Sequence, residues 1–323
     1  MGRWHAERWQ QLPVDITGFY DPASPDEVAA RFGAKVFKRL SALVEAVDIV
    51  DVCTPTPAHR EGVLAAAAGG KAAVCEKPIA RRLSDAREMI SACEEAGVPL
   101  FIAQVVRFFP QYERAKAALE RGDLGEPGVI RLLRSGSAPR PQPDSWYYDA
   151  ERSGGVMMDL SIHDLDFARW CFGEVERVFA RGSSRGGVCE HALITLGFEN
   201  GALGHIEGSW ASPPGPFRTA LEIAGTGGVL EWDSGDPTPF QASLRPADEA
   251  AARVPQSADS PLAPEDDPYF LELEHFLAHL ERGTELRVTP QDALAALELS
   301  LAAIASLETG QPVTLAPFRQ GTL

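Results

Sequence analysis

From Val14 to Ala103 apolar runs of strand length alternate with helix-forming runs, and no other feature narrows the fold as much. The pattern predicts strands at Val14–Tyr20, Lys35–Phe37, Asp48–Cys53, Ala72–Cys75 and Leu100–Ala103, with helices at Leu40–Glu45, Ala58–Ala68 and Ser84–Glu95. Ser24-Pro25-Asp26-Glu27 adds a capping-box pattern with proline at the first helical position. Strand and helix in strict turn build a parallel sheet covered on both faces, and such a sheet binds ligands beyond the carboxyl ends of its strands. The residues just after each strand therefore carry the chemistry.

Those residues are chemically apt. Asp21 ends its strand where an acidic side chain accepts hydrogen bonds from an adenosine ribose, which favours NAD over NADP; judged alone, it reads equally as a solvated turn aspartate before Pro22. Thr54-Pro55-Thr56 and His59 follow the next long strand, in a segment too proline-rich for helix. Glu76-Lys77-Pro78 follows the one after. An amine at the carboxyl edge of a sheet can hydrogen-bond a substrate hydroxyl, yet a surface lysine paired with Glu76 in a turn fits the same spacing.

Further along, Ser153-Gly154-Gly155-Val156-Met157-Met158-Asp159-Leu160-Ser161-Ile162-His163 begins with a backbone path that side chains would block and continues as a helix. Asp159 and His163 then fall four apart on one face, and a carboxylate beside an imidazole suits a general base acting on a hydroxyl. On this stretch alone, a helix with a capping aspartate and a core histidine is the simpler reading. Asp159 and His163 also have ligand spacing, with Asp164 and Asp166 nearby, but no second cluster converges on them and no metal is expected.

At 323 residues and 45% apolar content the chain is long enough for two domains. A net charge of -16 repels phosphodiester backbones and anionic lipid alike, so neither nucleic acid nor membrane is an expected partner. The five cysteines are scattered and lack CxxC spacing, which points to a reducing cytoplasm. Pro110–Arg121 reads as a helix and Val129–Leu133 as the first strand of a second domain. Trp146, Tyr147 and Tyr148 are candidate pocket walls or loop anchors. Asn200-Gly201 between two apolar runs signals a hairpin, and Gly225-Thr226-Gly227-Gly228 a turn. Asp233–Asp267 reads as irregular, while Tyr269–Glu281 and Pro290–Leu307 read as helices.

In combination, Thr54-Pro55-Thr56 with His59, Glu76-Lys77-Pro78, Arg107-Phe108-Phe109-Pro110, and Gly154-Gly155 with Asp159, His163 and Asp166 resemble the Gfo/Idh/MocA family. The resemblance implies an α/β plus α+β fold: a Rossmann-like parallel sheet in residues 1–106 and an open, mainly antiparallel sheet in residues 107–323, with carboxyl-terminal helices packing back. It implies NAD or NADP as cofactor, bordered by Gly2, Asp21, Thr54, Pro55, Thr56, His59, Glu76, Lys77 and Gln104. Lys77, Asp159 and His163 would surround the reacting carbon of a sugar or polyol, His163 taking the hydroxyl proton, with Arg107 and Tyr147 also touching substrate. A homodimer or homotetramer is expected on the same ground. A non-catalytic dinucleotide or sugar sensor and NAD-assisted glycoside cleavage are the alternatives within that fold.

Two departures stand out. The family usually opens with a strand and a G-x-G-x-M-G turn, of which Met1-Gly2 matches only the end. This predicts a native segment of about a dozen residues ahead of Met1, and weak dinucleotide binding without it. Val156 and Ser161 stand where the family often has glycine.

Overall fold

The computed structural model describes residues 1–23, 25–139, 145–236, 240–244 and 267–319. By contact the chain divides into two compact units, Met1–Phe108 with Asp266–Leu294, and Phe109–Glu265 with Ala295–Leu323.

In the first unit the strands Ile49–Val52, Ala72–Glu76 and Leu100–Ala103 lie side by side and parallel, crossed over by the helices His59–Ala68 and Leu83–Ala96. Every residue of the middle strand is buried, which is why it reads as an unbroken apolar run rather than an alternation. A separate parallel pair joins Gly18–Phe19 to Lys35–Val36. The strand expected at Val14–Tyr20 is thus much shorter, because Val14 and Ile16 pack on the core instead of pairing. The helix Asp26–Phe32 forms without a side-chain cap bond from Pro25, and Ser24 lies outside the described residues.

The core of this unit gathers Trp9 and Leu12 from the first helix and its exit, Val74 and Phe101 from the sheet, and Leu273, Phe276 and Leu277 from the helix Pro268–Arg282. Phe101 and Phe276 stack with centroids 4.7 Å apart. Asp267 starts that helix by accepting the Tyr269 and Phe270 N–H groups, and also receives Nε and Nη2 of Arg8 at 2.8 and 2.6 Å.

One residue of the same helix opposes folding. Glu272 is 0% exposed, and neither carboxylate oxygen has a hydrogen-bond partner among the described residues. Burial pushes its pKa well above the ordinary value of 4.5, against the nearby charge of His5 and with those of Glu76 and Asp51. The native state therefore keeps a proton that the unfolded chain releases near pH 4.5, and stability falls as pH rises from there toward the folded-state pKa. Glu272→Met is expected to stabilise the chain at pH 8 by roughly 1–3 kcal/mol, with the gain shrinking toward pH 4, in urea unfolding followed at both pH values.

The second unit is built on an eight-stranded sheet. Its order is Phe240–Leu244, Gly228–Asp233, Arg218–Gly225, Pro127–Ser135, Leu203–Ser209, Val188–Phe198, Val175–Arg185, Val313–Thr314. All neighbours are antiparallel except Pro127–Ser135 beside Leu203–Ser209. This is the mainly antiparallel sheet expected. The hairpin at Asn200-Gly201 forms, with the Asn200 side chain accepting the Ala202 N–H and donating to the Phe172 carbonyl. Gly225 to Gly228 is the expected turn between two strands. Part of the segment read as irregular is ordered into the edge strand Phe240–Leu244, while residues 245–266 lie outside those described. The helix Ile162–Phe172 packs on the strands Pro127–Ser135 and Leu203–Ser209.

Candidate active site

In the first unit the register of the parallel strands pairs Val52 with Cys75 and Glu76 with Ala103. The residues that follow, Thr54, Lys77 and Gln104, therefore leave the sheet at one common edge. Gly2 belongs to it too: a Cβ built there would lie 3.5 Å from Cβ of Cys53, so the first helix begins beside the same loop. Gln104 is 1% exposed, and neither its oxygen nor its nitrogen has a hydrogen-bond partner among the described residues. A buried carboxamide left unsatisfied costs about 1–3 kcal/mol, and a ligand's polar group would recover it. Thr54 and Pro55 are exposed, Thr56 is buried, and Lys77 is half-buried. Asp21 is exposed, with one carboxylate oxygen accepting the Ala23 N–H at 2.7 Å. An edge offering a free carboxamide, hydroxyls, an amine and an exposed carboxylate fits a dinucleotide's amide, ribose hydroxyls and phosphates.

Two residues expected to face cofactor or substrate do something else first. His59 is buried, with Nδ1 2.9 Å from the Pro78 carbonyl and Nε2 2.9 Å from that of Thr54, so it laces together the two loops that form the edge. Burial pushes its pKa below the ordinary value despite those carbonyls. Arg107 is buried as well. Its Nη1 donates to the Arg287 carbonyl at 2.8 Å and to Asp292 at 3.3 Å, while Arg287 donates back to the Arg107 carbonyl at 3.1 Å.

A polar cluster beneath this edge was not legible from spacing. His5, from the first helix, sits between Asp51 (Nδ1 to Oδ2, 3.0 Å) and Glu76 (Nε2 to Oε1, 3.1 Å). Trp9 Nε1 and the Cys53 thiol also donate to Asp51, at 2.8 and 3.3 Å. Burial alone would lower the His5 pKa, but the charge and hydrogen bond of Asp51, together with the interaction with Cys53, outweigh it and hold the ring well above its ordinary value. Burial pushes the Cys53 thiol up to about 12, which keeps it a donor. His5, Asp51 and Cys53 bring ligand-type atoms within 4.8 Å of one another. All three already satisfy one another by hydrogen bonds.

In the second unit Asp149 caps the short helix Ala150–Ser153, and Gly154 and Gly155 follow with φ of 72° and 65°. A Cβ on Gly155 would fall 2.7 Å from the Cys189 carbonyl, so glycine permits the close approach to the sheet. Met157–Ser161 is then a π-helical turn running into the α-helix Ile162–Phe172. The regular helix expected through Asp159 is thus widened by one turn of i→i+5 bonding, a local irregularity common at functional sites. Asp159 is half-buried and His163 buried on this segment. Ser161 fills space against Gly208 with its hydroxyl unsatisfied among the described residues.

The turn is anchored from behind. Asp164 is 0% exposed and receives Arg134 Nε and Nη2 at 3.1 and 2.9 Å, and Arg134 Nη2 also reaches Tyr112 Oη at 3.1 Å. Tyr147 packs on Trp146 at 4.3 Å and edge-on to Trp210 at 6.2 Å, making an aromatic wall in the same unit. Asp166 is buried.

A parallel Rossmann-like sheet with polar side chains at its carboxyl edge, followed by a domain on a large antiparallel sheet, defines a dinucleotide-dependent oxidoreductase class. Residues 1–104 match the family described as oxidoreductase family, NAD-binding Rossmann fold, and residues 112–231 match the GFO/IDH/MocA C-terminal domain. The chain is 33% identical to a myo-inositol 2-dehydrogenase of Thermotoga maritima, over 98% of this chain and 96% of that one. It superposes on the crystal structure of a probable dehydrogenase from Thermotoga maritima with a TM-score of 0.81 at 32% identity, covering 97% and 96% of the two chains. It also superposes on GenD2 from gentamicin A biosynthesis in complex with NAD, with a TM-score of 0.84 at 26% identity, covering 97% and 93%. The chain belongs to the Gfo/Idh/MocA family of NAD-dependent dehydrogenases.

Proposed function

We propose that the chain oxidises a secondary hydroxyl of a cyclic polyol or sugar, with NAD preferred over NADP through Asp21. The observation that carries this reading is the registered edge bearing Thr54, Lys77 and the unsatisfied Gln104 carboxamide. The nicotinamide, when bound, supplies the hydride acceptor. Asp21 holds the adenosine ribose, and Gly2, Thr54, Pro55, Thr56, Glu76 and Gln104 line its path, with His59 setting the loop positions. His163 takes the hydroxyl proton, while Lys77 and Asp159 orient and polarise the group, the lysine amine donating to the same oxygen and stabilising its negative charge as the proton leaves. Tyr147 and Arg107 shape the substrate side. An inositol heads the candidate substrates because a relative at 33% identity carries that activity in its name.

The test is a screen of inositols, pentoses and hexoses, each with NAD and with NADP, followed by reduced-nicotinamide absorbance. Turnover of at least one cyclic polyol or sugar, faster with NAD, is expected. Silence across the panel with both cofactors contradicts it.

The outer face of the antiparallel sheet supports association with a second copy. Leu193 and Leu203 are 53% and 46% exposed there, and Leu193 with the ion pair of Arg131 and Glu222 lines a depression of about 680 Å³. Sedimentation should give a dimer or tetramer mass, and a monomer at micromolar concentration would overturn this. None of the described helices is long and apolar enough to cross a membrane. No disulfide joins any of the five cysteines, which supports a cytoplasmic location, and a thiol titration finding fewer than five would count against it.

A further inference from the structure

The His5 cluster does more than fasten a helix to a sheet. One bond, from His5 Nδ1 to Asp51, already ties the first helix to the strand Ile49–Val52. The other ring nitrogen reaches a different strand, and there it meets the residue just before Lys77. Glu76 is a two-handed carboxylate: Oε1 lies 3.1 Å from His5 Nε2, and Oε2 accepts the backbone N–H of Lys77 at 3.0 Å. A carboxylate held on one oxygen presents the other in a fixed direction.

We propose that His5 is a positioning residue for Lys77: by binding one oxygen of Glu76 it holds the other on the Lys77 backbone N–H, and so fixes where the lysine leaves its strand. This deepens the reading of Lys77 as a substrate contact and rests on it. Two acceptors on one imidazole require both ring nitrogens to carry hydrogen, and of the titratable groups packed around the ring the Asp51 and Glu76 carboxylates supply the negative charge that favours that state, while Cys53 and Glu272 keep their protons. Glu76 is correspondingly held below its ordinary pKa, burial being overcome by the hydrogen bond and charge of His5 and by the charge of Lys77.

Two near-isosteric variants separate this from a structural staple. The amide of asparagine reproduces Nδ1 of histidine and that of glutamine Nε2, so His5→Asn keeps the Asp51 bond and loses the Glu76 bond, and His5→Gln does the reverse. By NMR, exchange of the Lys77 amide should quicken roughly tenfold in His5→Asn and stay within about twofold in His5→Gln, with the Val74 and Ile102 amides unmoved in both. In the unmutated chain, both His5 ring N–H protons should be visible at neutral pH. On the best polyol of the screen, His5→Asn should lower kcat about tenfold with KM unchanged, and should add nothing to a Lys77→Met background.

Equal Lys77 exchange in the two variants, quickening spread over Val74 and Ile102, or a ring carrying a single N–H overturns the proposal. The ring measurement needs no variant and so stands even if His5→Asn does not fold. Full turnover by Lys77→Met alone would instead sink the catalytic reading of Lys77, and amide exchange would still decide the positioning.

Discussion

His163→Ala is expected to lower kcat/KM on the verified substrate by roughly a hundredfold or more, the usual worth of a positioned general base. The effect should fall on kcat, with KM and the dissociation constant for NAD little changed, because a proton acceptor acts in the transition state rather than in binding. The setting supports this role. His163 is buried two residues past the π-helical turn that carries Asp159, and its neighbour Asp164 locks the helix by a buried ion pair with Arg134. Steady-state kinetics of the variant against the unmutated chain decide it. An unchanged kcat/KM would move the base elsewhere, and a change confined to KM would make His163 a binding group.

The largest stability effect should come from breaking the pair of Arg134 and Asp164. Both are buried, and Asp164 is 0% exposed. Burial pushes the Asp164 pKa above its ordinary value in spite of the opposing Arg134 charge, a sign that desolvation is the dominant cost at this pair. Replacing both partners by apolar groups therefore costs little, whereas removing one strands the other, at roughly 3–5 kcal/mol. Asp164→Asn leaves an arginine that cannot lose its charge, so its penalty should hold across pH. Arg134→Met leaves a carboxyl that can take a proton, so its penalty should shrink as pH falls. Arg134→Met with Asp164→Leu should recover most of the loss. Thermal unfolding of the four chains at pH 5 and pH 8 checks this, and additive single losses in the double variant would contradict it.

The parallel sheet was legible because its evidence is local: each strand is a short apolar run closed by turn residues, and register follows once neighbours pair. That was enough to bring Thr54, Lys77 and Gln104 to one edge. The hairpin at Asn200-Gly201 was legible for the same reason, its side-chain bonds lying within or near the turn. What escaped depends on partners far apart in sequence. His5 meets Asp51 across 46 positions and Glu76 across 71, and no periodicity encodes that. Glu272 sits among the apolar residues of its helix and gives no sign of a missing partner until the helix is packed. Val14 and Ile16 have strand composition but spend it on the core. The π-helical turn was hidden too, since the spacing of Asp159 and His163 fits an ordinary helix equally well. His59 is the converse case: a polar residue after a strand reads as a ligand contact, and only packing reveals that both its ring nitrogens go to backbone carbonyls.

The proposal that this dehydrogenase oxidises a polyol carbinol is tested most directly by following the hydrogen itself. A substrate carrying deuterium on the carbon to be oxidised is incubated with NAD and the chain, and the reduced cofactor is analysed by mass and NMR. The account predicts one deuterium on the nicotinamide ring per ketone formed, and a slowed chemical step. Deuterium released to water with no label in the cofactor would contradict it.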